Sequence, residues 1–147
     1  MVTGTVLEKV ITQALDELYT RDYYLLEHKL HERSIVFRYA HYLQNIIDCY
    51  EEFKDYNLDL EYNRNGNNPK HIPIRDNGAI PDLIIHKRGS NKDNLLIIEF
   101  KTYWDTEVDD DYKKLSCFVN PRGKYRYTVG LSIIFGRERE SVRIESV

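Results

Sequence analysis

The sequence predicts an α/β fold in which a mixed central sheet carries helices on both faces. Apolar residues recur every three to four positions in residues 3–20 and 23–53, which is the periodicity of amphipathic helices. Residues 79–86 and 94–101 are apolar on both faces, apart from one acid in each, which is typical of central strands covered on both sides. The predicted order of helix, three strands, helix and strand then requires helical layers on both faces of the sheet.

Helices are predicted first along the chain. Residues 3–20 have Val6, Val10, Leu15 and Leu18 at approximately helical spacing. Residues 23–53 form a longer helical stretch, in one or two pieces, and Asp22 is placed to cap its start. The strongest apolar stripe of this stretch is Val36, Tyr39/Ala40, Leu43, Ile46/Ile47 and Tyr50.

Strands follow. Residues 56–62 alternate between apolar and polar side chains, which predicts a strand with one face in water. Residues 63–78 are rich in Asn, Gly and Pro and are predicted to be a long loop. The apolar strands 79–86 and 94–101 come next, joined by a turn.

The C-terminal third is predicted to add one helix and one strand. The helix covers 106–119, with Thr106 as its candidate N-cap. Its inward side chains are predicted to be Val108, Tyr112, Leu115 and Val119. A strand over 125–135 follows, and residues 138–147 are either another strand or an irregular tail.

Length and composition predict one globular domain over residues 1–147. The net charge of −3 argues mildly against a protein that binds nucleic acid in bulk, although residues 121–147 hold six basic and three acidic side chains. No apolar run approaches ~18 residues, so no membrane span is predicted. The first residues do not resemble a secretion signal, and we expect a cytoplasmic protein.

Two acids interrupt the apolar strands. Asp82 and Glu99 lie where an unpaired charge costs several kcal/mol to bury. The turn between the strands centres between residues 90 and 91, so facing residues of a regular hairpin have numbers that add to 181. Asp82 and Glu99 satisfy this relation and should be direct cross-strand neighbours. Such like charges repel each other in a low dielectric, and a bound divalent cation is the simplest relief.

A lysine and a third acid are predicted to join this pair. Lys101 shares the face of Glu99 because strand side chains alternate, while Phe100 points to the other face. An amine there can orient or deprotonate a water, or offset charge on a phosphate. Glu32 precedes the apolar stripe of its helix by one turn, which places it on the sheet-facing side. It could reach the same cation, or it could simply be an acid favoured by the start of a helix.

The arrangement Pro81-Asp82, sixteen residues, then Glu99-Phe100-Lys101 resembles the signature of the PD-(D/E)XK nuclease superfamily. The predicted element order is similar to the αβββαβ core of its restriction-endonuclease-like fold. The resemblance implies Mg²⁺- or Mn²⁺-dependent phosphodiester hydrolysis. It further implies that Asp82, Glu99 and the Phe100 carbonyl bind the metal, that Lys101 activates water, and that Glu32 is an accessory acid.

Three further residues are accessory candidates. Asp111 and Lys114 lie on the helix that follows the second acidic strand, where either could steady a water or a phosphate, although a solvated helix face is the commoner situation. Arg38 could pair with a site carboxylate or a phosphate, and an ordinary surface ion pair explains it equally well.

The function expected from these residues is that of a metal-dependent nuclease acting on DNA. The alternative is a nuclease-fold interaction subunit of a defence or mobile-element system that lacks catalysis, and a third possibility is an unrelated α/β enzyme. The sequence leaves open DNA against RNA, ends against internal sites, and sequence specificity. A domain this small has little surface for reading bases, which favours a homodimer or a targeting partner.

Overall fold

A computed structural model describes residues 1–62, 80–105 and 111–147. These residues form an α/β protein in which helices come first and a mixed five-stranded sheet follows. The helices are α1 (Gly4–Arg21), α2 (Tyr23–Glu27), α3 (Glu32–Ile47) and α4 (Asp111–Val119). The strands are β1 (Asn57–Leu60), β2 (Leu83–His86), β3 (Leu96–Thr102), β4 (Val129–Phe135) and β5 (Arg143–Ser146). Two short 3₁₀ turns lie at Glu51–Phe53 and Arg139–Ser141.

The N-terminal helices have identifiable start signals. The Thr3 hydroxyl accepts a 3.2 Å hydrogen bond from the Val6 N–H and so caps α1. The stretch predicted over 23–53 is divided into α2 and α3, and the break contains Lys29 with φ of 53°. α3 then begins at Glu32, because the His31 ring nitrogen accepts the N–H of Arg33. Its predicted apolar stripe is buried from Val36 to Ile47.

The sheet has the strand order β1-β2-β3-β4-β5. β1, β2 and β3 pair antiparallel, β3 and β4 pair parallel, and β5 returns antiparallel along β4. The parallel pair is the one that needs a crossover connection, and α4 provides it. Residues 143–146 are therefore a strand rather than an irregular tail.

Two apolar clusters lie on opposite faces of the sheet. One contains side chains of α1 and α3 together with Leu83, Ile85 and Phe100. The other contains α4 side chains together with Ile84 and Ile97. Strand alternation thus divides the side chains of the sheet between a cluster shared with α1 and α3 and a cluster shared with α4. A Cβ at Gly130 would meet the Val119 side chain at 2.6 Å, so glycine allows α4 to lie close on β4.

The observed bounds correct several predicted ones. The ladder of β2 begins at Leu83 rather than at residue 79, because the side chain of Asp82, and not a backbone carbonyl, accepts the N–H of Phe100. β4 begins at Val129 rather than at residue 125, and the preceding Tyr125 and Tyr127 pack against Phe118 of α4. Thr106 and Val108, and the whole of the predicted loop 63–78, lie outside the described residues. None of the described helices combines the length and apolar character required to cross a membrane.

Candidate active site

The predicted hairpin register is confirmed. Leu83 faces Ile98 and Ile84 faces Ile97 in the β2–β3 pair, and their numbers add to 181. Asp82 immediately precedes this ladder, and its Oδ2 accepts a 2.8 Å hydrogen bond from the N–H of Phe100. The structure therefore brings Asp82 beside Glu99, and the negative charge of Asp82 contributes to a raised pKa of the Glu99 carboxyl.

Glu99 is buried under α4 and is paired with a lysine there. Its side chain is 3% exposed, and its Oε1 lies 2.7 Å from the Nζ of Lys114, whose side chain is 6% exposed. Lys114 also donates a 2.7 Å hydrogen bond to the Ile80 carbonyl. Burial raises the pKa of Glu99 well above its usual value, repulsion from Asp82 raises it further, and Lys114 opposes both effects.

The position of Lys114 corrects the expectation of a solvated helix face. The exposed face of α4 instead carries Tyr112, which is 69% exposed, and Lys113. α4 is thus rotated about its axis relative to the predicted inward stripe. The rotation buries Phe118 and directs Lys114 at the buried carboxylate.

Lys101 lies two residues beyond Glu99 on β3, where strand alternation gives it the same face. Its Nζ is 3.3 Å from Oδ2 of Asp105, and both side chains are about one-fifth to one-quarter exposed, at 20% and 24%. Phe100 points to the opposite face, where its ring packs on Tyr39 and Phe135. The predicted division of β3 side chains between the two faces is confirmed.

Glu32, at the first position of α3, comes within electrostatic reach of this group. Its pKa is raised to about 7, first by burial and then by the charge of Asp82, while Lys101 acts in the opposite direction. Asp105 and Asp111 add smaller repulsions. Acids from the start of α3, from just before β2 and from just after β3 therefore influence one another, although they are far apart in the sequence.

The oxygen donors of this site suit a small, hard cation. Within the described parts of the chain, no three His, Cys, Asp or Glu side chains are close enough together to hold a metal by themselves. Mg²⁺ needs only one or two carboxylates, because it keeps several of its waters. Asp82 and Glu99 are a pair of this kind, and each has a second oxygen besides the one that contacts Phe100 or Lys114. Coordination by the Phe100 carbonyl remains a prediction.

A cleft of about 1030 Å³ lies beside Asp82 and Glu32, whereas Glu99 and Lys101 are not among its described lining residues. Its acidic lining is provided by Glu32, Glu61, Asp82 and Asp105, and its basic lining by Lys29 and Arg33. Phe37 and Trp104 add aromatic rings. Sequence reasoning did not select these two rings or Asp105, because only the packing of α3 against the sheet places them next to Asp82.

Arg38 is a predicted accessory residue that the structure places elsewhere. Its guanidinium bonds to Asp22 Oδ2 at 2.9 Å and to the Tyr42 hydroxyl at 2.8 Å. Asp22 Oδ2 also accepts a hydrogen bond from the Tyr42 hydroxyl. Arg38 thus belongs to a polar group with Asp22 and Tyr42 and does not line the carboxylate cleft. The surface ion pair is the interpretation that the geometry supports.

The Glu32→Gln substitution is expected to stabilise the protein at high pH only. The native pKa of about 7 lies above the usual value of 4.5, so the folded chain holds this proton over a range in which the unfolded chain has lost it. Wild-type stability should therefore fall as pH rises between these values. After allowance for partial exposure, Gln should gain about 1–2 kcal/mol at pH 8 and nothing near pH 4.

Urea unfolding in EDTA at pH 4 and pH 8 measures this difference, with Glu8→Gln on the exposed side of α1 as the matched removal of one charge. An equal gain at both pH values would mean that Glu32 does not have a raised pKa in the native state.

No protein-family model matches this chain, and neither a curated protein nor a solved structure matches it.

Proposed function

We propose that this chain is a divalent-metal-dependent nuclease of the PD-(D/E)XK type, with DNA as its expected substrate. The observation that carries the proposal is that Asp82, immediately before β2, lies beside Glu99 of β3, with Lys101 on the same face of β3. The order α3, β1, β2, β3, α4, β4 and the parallel pairing of β3 with β4 also agree with a restriction-endonuclease-like core.

Mg²⁺ or Mn²⁺ would be held by Asp82 and Glu99, with the Phe100 carbonyl as a further ligand. When bound, such an ion lowers the pKa of a water and neutralises phosphate charge. Lys101 would orient the attacking water and offset the charge that develops on the phosphate. Glu32, with a pKa of about 7, is suited to accept a proton near neutral pH. Lys114 of α4 holds the Glu99 carboxylate in position through their ion pair.

One observation favours the non-catalytic alternative. Glu99 is almost completely buried, and Lys114 already compensates its charge, so the fold does not need a cation to tolerate this acid. A nuclease-fold interaction subunit could retain the same ion pair for stability alone. Metal binding and cleavage therefore have to be measured separately.

The test compares wild type with Asp82→Asn, because Asn keeps an oxygen acceptor for the Phe100 N–H and removes only the charge. We expect cleavage of DNA with Mg²⁺ or Mn²⁺, none with EDTA, and a loss of about 10²–10³-fold in the variant. Metal at one hundred times its dissociation constant should stabilise wild type by about 2.7 kcal/mol and the variant much less.

Asp93→Asn is the matched control, since Asp93 is an exposed acid in the turn between the same two strands. A metal-induced stability gain without cleavage of DNA or RNA would support the metal site and contradict the nuclease, whereas an interaction subunit that keeps the ion pair for stability alone should show neither a gain nor cleavage. Neither a gain nor cleavage would show that the metal assignment is wrong.

A further inference from the structure

Phe37 is an exposed aromatic residue on a helix whose other large apolar side chains are mostly buried. Phe37 is 57% exposed, whereas Tyr39 and Leu43 of the same helix are completely buried. It borders the cleft that contains Glu32 and Asp82. A phenyl ring in water at the edge of a charged cleft suits a ligand with a flat apolar face.

Two cationic side chains, Lys29 and Arg33, line the same cleft as this ring. Arg33 precedes Phe37 by four residues, so the two side chains are neighbours on the surface of α3. Arg33 contacts Glu61 at 3.4 Å, but both side chains are more than half exposed, so an incoming anion can compete for the guanidinium. Lys29, in the loop before α3, lines the same cleft. The cleft thus offers a ring for a base and cations for phosphates, in the same cleft as Asp82 and Glu32.

Bases within a duplex are stacked on both faces, so only an unpaired or terminal base can lie on a protein ring. Stacking also supplies affinity that does not depend on phosphate contacts. This matters here because a chain of net charge −3 has little excess positive charge for binding phosphates. The tyrosines that the sequence places beside Arg126 cannot serve this purpose, because Tyr125 and Tyr127 are each 2% exposed.

We propose that the substrate is a nucleic-acid strand with an unpaired nucleotide, whose base stacks on Phe37 while its backbone contacts Arg33 and Lys29. This inference deepens the proposed nuclease function and rests on it for the cleavage measurement. The preferred substrate is accordingly a single strand or a single-stranded overhang, and a blunt duplex is a poor one.

Binding can be followed without catalysis. Trp104 is the only tryptophan of the chain and lines the same cleft, so its fluorescence reports on the occupant. Asp82→Asn protein in EDTA is titrated with single-stranded oligo-dT, with oligo-rU and with a blunt DNA duplex. In this background Phe37→Leu should weaken single-strand binding by about 5- to 100-fold, and Phe37→Tyr should change it by less than about threefold.

Tyr24→Leu is the matched control, because the Tyr24 ring is 65% exposed but stacks on His28 and does not line the cleft. Duplex binding should be weaker and insensitive to Phe37. Equal affinity for the oligo-dT strand and the duplex, or single-strand binding that is unchanged in Phe37→Leu, would overturn the inference. The comparison of oligo-dT with oligo-rU decides between DNA and RNA.

Cleavage by the otherwise unaltered chain separates this inference from the nuclease proposal. With Mn²⁺, Phe37→Leu should lower kcat/KM on a single strand by a similar factor, through KM rather than kcat. If single-strand binding depends on Phe37 but the chain cleaves nothing, the stacking of a base on Phe37 is supported and the nuclease function is contradicted. If blunt duplex and single strand are cleaved at equal rates, and Phe37→Leu changes neither rate, the nuclease function is supported and the stacking of a base on Phe37 is contradicted.

Discussion

Lys114→Met is expected to lower the free energy of unfolding by about 3–5 kcal/mol near pH 8, because it leaves the Glu99 carboxylate buried without its partner. The loss should shrink as pH falls. Glu99 has a raised pKa, and its protonation at lower pH removes the uncompensated charge. Urea unfolding at several pH values measures both the size of the loss and its pH dependence.

Two variants make this result specific to the ion pair. Lys113→Met removes the same charge from the exposed side of α4 and should change stability by less than about 0.5 kcal/mol. Glu99→Gln combined with Lys114→Met should recover most of the loss, because no buried charge then remains. A double variant as unstable as Lys114→Met would instead assign the loss to packing of the lysine stem.

Lys101→Met is expected to lower the cleavage rate by about 10²–10⁴-fold, the range over which positioned proton-transfer groups contribute. Lys101 is not a metal ligand in the proposed site, so the stability gained from Mg²⁺ should persist. That combination separates this lysine from Asp82, whose substitution should remove both cleavage and the metal response. Single-turnover cleavage at saturating Mn²⁺, together with thermal unfolding, measures the two effects.

Lys92→Met, in the exposed turn before β3, is the matched control and should cleave normally. Undiminished cleavage by Lys101→Met would contradict the assigned role.

The acidic pair itself could be predicted from the sequence. The β2–β3 pairing is centred between residues 90 and 91, so this centre fixes which residues face each other, and strand alternation fixes which side chains share a face. Asp82, Glu99 and Lys101 follow from these two local rules. The start of β2 could not be predicted in the same way, because it depends on the Asp82 side chain taking the N–H of Phe100.

The orientation of α4 shows where the periodic pattern fails. An apolar stripe through Tyr112, Leu115 and Val119 is consistent with the sequence, yet Tyr112 is largely exposed and Phe118 is buried. Hydrophobic periodicity counts a lysine as a surface residue, whereas here Lys114 is inward because Glu99 lies opposite. Burial of a lysine depends on a partner in another element, which the pattern of its own helix does not contain.

The sequence by itself determined the α/β class, the hairpin register and the three charged residues of the two central strands, because these depend on neighbours close along the chain. Only the tertiary structure decided that Lys114 pairs with Glu99, that Glu32 lies near Asp82, and that Phe37 and Trp104 line the same cleft. These contacts join segments that are far apart in sequence. They are set by how α3 and α4 pack on opposite faces of the sheet, where burial and charge compensation outweigh local periodicity.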